Sequence, residues 1–194
     1  YKKRLKIKDD LFFDKIAYLL CAQNEFDYVL GSFSYINPVN FHARRLFLNS
    51  MESGEMENDY QSAISGLLSI HEDSKAWNSF VTSMKNMGLA DDVIIDQYKD
   101  SPALQIKTTK GKLKNNIVDV GYGVSLQIPI MMHVVFLKYF RRKSNLIIEQ
   151  PEIHLHPALQ SKFIEEIVNN SGSTTFFIET HSEHILRKLQ ILCK

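Results

Sequence analysis

A chain of 194 residues that is 44% apolar and 11% aromatic can bury one core of ordinary size, which excludes a disordered or low-complexity protein. Its 23 basic and 22 acidic residues leave a formal charge of +1, so no global field draws it to nucleic acid or an anionic membrane, and any such contact must be local. The two cysteines, Cys21 and Cys193, stand near opposite ends and make neither a disulfide framework nor a metal knuckle, which points to a reducing, cytoplasmic setting and inert thiols.

Tyr1-Lys2-Lys3-Arg4 is basic, but the residues after it run through mixed charge to Asp9-Asp10 and do not form the apolar centre of a signal peptide. The start on Tyr1 instead of methionine leads us to expect a longer protein. Residues 11–33 mix aromatic and aliphatic side chains without a clean period and read as short strands or one helix. Residues 34–40 read as loop, because Asn37-Pro38 favours a turn; residues 41–50 read as a short helix, and the polar, glycine-punctuated residues 51–59 as an exposed connection.

Helical spacing begins near Tyr60. Ile64, Leu67 and Leu68 share one face, and Trp77, Phe80, Val81 and Met84 repeat the pattern after a break at 71–74, which predicts two helices joined by a turn. Residues 93–109 switch to extended structure, and residues 107–114 read as a hairpin with Gly111 at its bend. The hairpin lysines, Lys107, Lys110, Lys112 and Lys114, protect a sheet edge on the simpler reading; a wing that contacts nucleic acid is the functional alternative.

Residues 124–140 are apolar on nearly all sides, as in a helix buried against a sheet. Their longest apolar stretch, 128–140, is interrupted by His133 and Lys138 and is shorter than the roughly 20 residues of a membrane span, so no membrane partner is expected. Residues 145–149 are a short apolar run ending in a carboxylate. Residues 157–168 predict a helix with Pro157 at its first position and Leu159, Phe163, Ile164 and Ile167 along one face. Residues 174–178 are β-branched and aromatic, as in a strand, and Ser182 suits the cap of a helix over 183–192. Helices alternating with strands in this way predict α/β layers around a mainly parallel sheet.

In such a sheet, ligands bind beyond the carboxyl ends of the strands. Two strands here end in polar clusters, Glu149-Gln150-Pro151-Glu152-Ile153-His154-Leu155-His156-Pro157 and Glu179-Thr180-His181-Ser182-Glu183. An apolar strand feeding a carboxylate suits hydrated magnesium, which takes carboxylate oxygens and keeps several waters. Val120-Gly121-Tyr122-Gly123-Val124-Ser125 would leave backbone N–H groups and a helix N-terminus free to face an anion such as phosphate.

These three segments, in this order, resemble the signature motif, the Walker B strand with its D-loop, and the switch-histidine loop of ABC-type ATPases. The nearest group is the one of RecF-like and OLD-like proteins and of the ATPases in Septu and retron-associated anti-phage systems. The resemblance lies in the last third of the chain. It implies an ABC-ATPase-like core in which residues 1–59 belong to the core, residues 60–92 form a helical insertion, and residues 93–194 form the C-terminal part. It implies ATP and Mg2+ as cofactors and an ATP sandwich closed by a homodimer or higher oligomer. Glu149 then matches the residue that holds magnesium through water, and His181 the histidine that senses the γ-phosphate. Gly121, Tyr122, Gly123 and Ser125 match the turn offered to the partner's nucleotide, and His154, Leu155 and His156 the loop that signals between sites. The implied setting is DNA-associated or anti-phage, with a partner nuclease subunit or domain and with DNA or RNA as further partners; this chain itself carries no nuclease constellation.

The sequence departs from that pattern at three places. Gln150 stands where a second carboxylate is usual; an amide cannot accept the proton, although it can orient the attacking water. Glu152 is the candidate substitute acid. Gln127 comes one place later than the pattern expects, and G-x-x-x-x-G-K-[ST] occurs nowhere in the chain, so a phosphate-binding loop is expected upstream. Blander readings stand beside these. His154 and His156 form a metal pair only if further ligands join them, which no spacing here supplies. His181 and His184 lack the glutamate placement of a zinc protease. Glu149 alone would suit a strand edge or an ion pair, and Ser125 and Ser182 would suit helix caps. The expected activity is ATP hydrolysis that switches a dimer between states; the alternative is a non-hydrolytic, ATP-bound module that holds a partner nuclease in check.

Overall fold

The computed structural model describes residues 33–37, 47–48, 60–97, 103–141 and 143–194. Two short strands, β1 (Phe33–Ile36) and β2 (Phe47–Leu48), precede helices α1 (Tyr60–Glu72) and α2 (Ser74–Met87). Strands β3 (Asp92–Gln97), β4 (Ala103–Lys110) and β5 (Leu113–Asn116) follow, then the long helix α3 (Tyr122–Phe140). The chain ends with β6 (Ser144–Glu149), α4 (Pro157–Asn169), β7 (Thr174–Glu179) and α5 (Glu183–Leu192).

Two of the expectations give way. Residues 34–36 are strand and not loop, because they pair in parallel with β6, from Phe33 opposite Asn145 to Ile36 opposite Ile148. The Asn37-Pro38 signal marks where that strand stops. Phe47 and Leu48, expected in a helix, pair antiparallel with Leu104 and Ala103 of β4, a long-range contact that local spacing does not report. The readings of residues 11–32, 38–46, 49–59 and 98–102 lie outside the described residues.

At the helix ends and the hairpin that the structure describes, pattern and structure agree. The break between α1 and α2 falls at Asp73, whose carboxylate accepts from the Lys75 and Ala76 amides as an N-cap. α2 ends at Gly88, whose φ of 76° is a left-handed stop open to glycine. The hairpin of β4 and β5 turns on Gly111, also left-handed.

The described strands form two sheets. β2, β4, β3 and β5 make an antiparallel one, while β1, β6 and β7 run parallel in that order. In β6 Ser144, Leu146 and Ile148 are buried and alternate with half-exposed residues, so one face of the parallel sheet packs inward. The register aligns Ile36, Ile148 and Ile178 in one row of that face. Helix α3 is the centre of the core: Leu126, Ile130, Met131, Val134 and Val135 are buried, with α1 and α2 packed against it. Its length and composition would suit a membrane span, but 61% of that window is buried inside the protein, as in a core helix. Helices α4 and α5 pack on each other, and α4 packs against α2.

One polar group in α3 makes the core sensitive to pH. Burial, with the nearby Arg141 charge, lowers the His133 pKa from 6.5 to about 4, and its buried Nε2 has no partner among the described residues. The folded state therefore binds fewer protons than the unfolded chain between these values, and stability falls as pH drops from 6.5 toward 4. Urea unfolding across that window should lose up to about 3 kcal/mol, and His133→Leu should flatten the loss.

Candidate functional site

Parallel pairing brings the carboxyl ends of β1, β6 and β7 to one edge. Glu149 at the tip of β6 lies opposite Glu179 at the tip of β7, and Asn37 follows directly on β1. The Asn37 amide donates to Glu149 Oε2 at 2.9 Å. Tyr35 is hydrogen-bonded to the same carboxylate, and its pKa is raised above 10.0 chiefly by that bond, with desolvation and the charges of Glu149 and Glu179 acting in the same direction and Asn37 opposing. Glu149 is thus held by two neutral donors, and among the described residues no lysine or arginine is bonded to it.

Beyond Glu149 the chain turns sharply. Gln150 has φ 41° and His154 φ 62°, two left-handed residues that fold 150–156 into a tight coil. The Gln150 amide donates to the Glu179 carbonyl at 2.8 Å, which stitches the coil to the neighbouring strand end. Leu155 is buried in the core, while the exposed His156 caps α4, its Nδ1 accepting from the Ala158 amide at 3.3 Å. Pro157 occupies the first turn of that helix, as expected.

Helix α3 starts against this coil. Its N-cap is Gly121, with no side-chain cap, and the Val124 and Ser125 amides turn back to the Gly121 carbonyl. The remaining first-turn amides of such a helix have no intrahelical acceptor, so this end is suited to an anion. A Cβ on Gly123 would stand 2.5 Å from the His154 carbonyl oxygen, so only glycine permits this approach. The Tyr122 ring meets the His154 ring edge-on, with centroids 4.9 Å apart. Ser125 is buried and donates to the Tyr122 carbonyl. Gln127 is fully buried and donates to the Pro151 carbonyl at 2.9 Å, which spends its amide inside the chain.

The loop after β7 is tied to the same coil. Glu152 Oε1 accepts from the His181 amide at 2.7 Å. Gln160, one turn into α4, donates to the Leu155 carbonyl and accepts from the Ser182 hydroxyl, which in turn caps α5 by accepting from the Ile185 amide. His181 itself is exposed. Two oxygens flanking Pro151, Gln127 Oε1 and Glu152 Oε2, are buried without a donor among the described residues.

The residues singled out in the sequence therefore gather in one region. Glu149 ends the strand that leads into the coil, Gln150, Glu152, His154, Leu155 and His156 lie on the coil, the 121–125 turn packs on it, and His181 is bonded to it. Sequence reading missed Tyr35, Asn37 and Gln160. Asn37 follows an alternating aromatic stretch whose strand character the Asn-Pro pair obscured. Gln160 sits on the polar side of a helix and carries no spacing signal.

The hairpin lysines are partly engaged within the chain. Lys107 pairs with Asp96, and Lys110 donates to the Gly88 carbonyl at the end of α2. Lys112 and Lys114 are exposed.

A nucleotide with magnesium fits the donor set. Among the described residues no three of His, Cys, Asp and Glu gather as a metal cage, whereas carboxylates at the strand tips suit an ion that keeps its waters and takes phosphate oxygens. The uncapped start of α3 suits phosphate.

Two measurements test this geometry. Gly123→Ala should shift the urea midpoint by about 1–3 kcal/mol of lost stability, because the methyl group must displace a backbone carbonyl. Gly121→Ala, which meets nothing within 4 Å, should stay within about 1 kcal/mol of the parent. Removing the charge that holds the phenol's proton should lower the Tyr35 titration midpoint, so NMR of labelled tyrosine should move it toward 10 in Glu149→Gln.

Among known proteins, a family model described as "AAA ATPase domain" matches residues 7–186. No curated protein matches the chain. The solved structures that it is similar to include the Smc head domain of Pyrococcus furiosus with an extended coiled coil, bound to the C-terminal domain of ScpA. That likeness has a TM-score of 0.50 at 12% identity and covers 64% of this chain and 32% of that one. Another is the SMC head domain from Thermotoga maritima, with a TM-score of 0.43 at 11% identity over 65% of this chain and 44% of that one. The chain thus spans about a third of the length of the first. At this identity the first likeness speaks for a shared α/β fold alone, in accord with the parallel sheet and its flanking helices. The family model spans most of the chain, and the chain belongs to the AAA ATPase domain family.

Proposed function

We propose that this chain is the C-terminal half of an ATPase core of the RecF-like and OLD-like group, which closes head to tail on a second copy around ATP and reopens after hydrolysis to ADP and phosphate. The observation that carries the reading is the convergence at one edge: the strand-tip Glu149, the loop bearing His181, and the uncapped start of α3 all meet the same coil. In this reading Glu149 holds hydrated magnesium, which when bound neutralises phosphate charge. Gln150 orients the attacking water, and its backbone is already fixed by the bond to the Glu179 carbonyl. The exposed His181 faces the γ-phosphate, and the Gly121–Ser125 turn serves the partner's nucleotide. The phosphate-binding loop comes from a segment outside residues 1–194, since the sequence lacks one. The segment from Glu149 to Pro157 resembles that of DNA-associated and anti-phage ATPases, which supports a partner nuclease as the element that the closure governs.

Gln150 also favours a second reading, in which the closed, ATP-bound state is the product and holds a partner nuclease in check, because an amide cannot take the proton of the attacking water. ATP hydrolysis by the longer protein that contains this chain separates the two. On the first reading wild type turns over, Glu149→Gln and His181→Ala each lose about 100-fold or more, and Gln150→Ala loses what Gln150→Glu raises. Wild type that binds ATP without turnover, and gains it only as Gln150→Glu, would establish the second. Turnover that survives both Glu149→Gln and His181→Ala would sink the site assignment.

A further inference from the structure

We infer that Glu152 is a positioning residue and not a proton acceptor: its carboxylate is the strut that sets the switch loop against the coil, with Gln160 as the second strut. This rests on the ATPase reading of His181 and goes beyond it in saying what fixes that residue. A general base needs a carboxylate oxygen open to the reacting water. Glu152 Oε2 is buried, and Oε1, the oxygen in the exposed position, already accepts from the His181 amide at 2.7 Å, so the carboxylate is directed at the switch loop. What Glu152 does offer is a charge-assisted acceptor at the residue whose ring must be aimed.

The two struts differ in kind. Glu152 bridges directly from coil to switch loop at His181. Gln160 reaches both from α4, donating to the Leu155 carbonyl at 2.9 Å and accepting from Ser182. Residues 152–155 and 181–182 are therefore fixed to one another at two points and move as one body. A displacement of the coil, such as contact from a second copy would bring, reaches His181 without any change in β7 itself.

A glutamine in place of Glu152 keeps an oxygen for the His181 amide but cannot act as a base, which separates the two roles. Hydrogen exchange of the His181 amide, followed by NMR in the same longer protein, reads the strut without requiring turnover. Glu152→Ala should speed that exchange by about tenfold, and Glu152→Gln should restore most of the protection. Turnover should follow the same order, with kcat falling in Glu152→Ala and recovering in Glu152→Gln while KM for ATP changes little. Unchanged exchange in Glu152→Ala would overturn the strut. Protection kept but turnover lost in Glu152→Gln would make Glu152 an acid or base after all. Absence of turnover in wild type would count against the ATPase reading alone, because the exchange comparison still decides whether the strut exists.

Discussion

The approach of Gly123 to the His154 carbonyl sets the spacing on which the site depends. A helix start can sit on a coil of backbone this closely only when no side chain intervenes, and a Cβ would stand 2.5 Å from the oxygen. Once α3 is seated there, Gln127 one turn further on reaches the Pro151 carbonyl from inside the core, and the Tyr122 ring lies against His154. Three contacts from one helix thus fix a coil whose own backbone bonds are two turn bonds, from the Ile153 amide to the Gln150 carbonyl and from the Leu155 amide to the Glu152 carbonyl. Two left-handed residues, Gln150 and His154, are tolerated in it because those surroundings over-determine the backbone.

The parallel sheet supplies the complementary constraint. Parallel strands deliver all their carboxyl ends to one edge, so Glu149, Glu179 and Asn37 meet without any loop having to carry them there. Two carboxylates at neighbouring tips repel, and the arrangement answers this with neutral donors at Glu149, the Asn37 amide and the Tyr35 phenol. A lysine or arginine there would satisfy the carboxylate permanently and compete with a cation. Neutral donors orient it and leave its charge available.

Much of this was legible because the C-terminal third states its structure locally. Pro157 starts α4, Ser182 caps α5, and the apolar run 145–149 ends on the carboxylate that the sheet presents. The glycines of the 121–125 turn advertised a close approach, but not to what. The carbonyl approached, that of His154, lies 31 positions along the chain from Gly123, and only folding brings them together. The same limit hid β1 and β2, whose strand state depends on partners near residues 145 and 104. It hid Gln160 too, since a polar residue on a helix announces nothing until two loops arrive on either side of it.

Gln127 shows how pattern and packing can trade places. In the motif that this region resembles, the glutamine is expected one position earlier, and its displacement looked like a lost contact. On a helix one position is a rotation of about 100°, enough to carry a side chain from the outer face of the turn to the inside. Gln127 lies inside: it is fully buried and its amide is committed to Pro151. The displaced residue thus couples α3 to the strand exit from behind. That leaves the outer face of the turn to Tyr122 and to the uncapped helix start, which among the described residues no side chain caps.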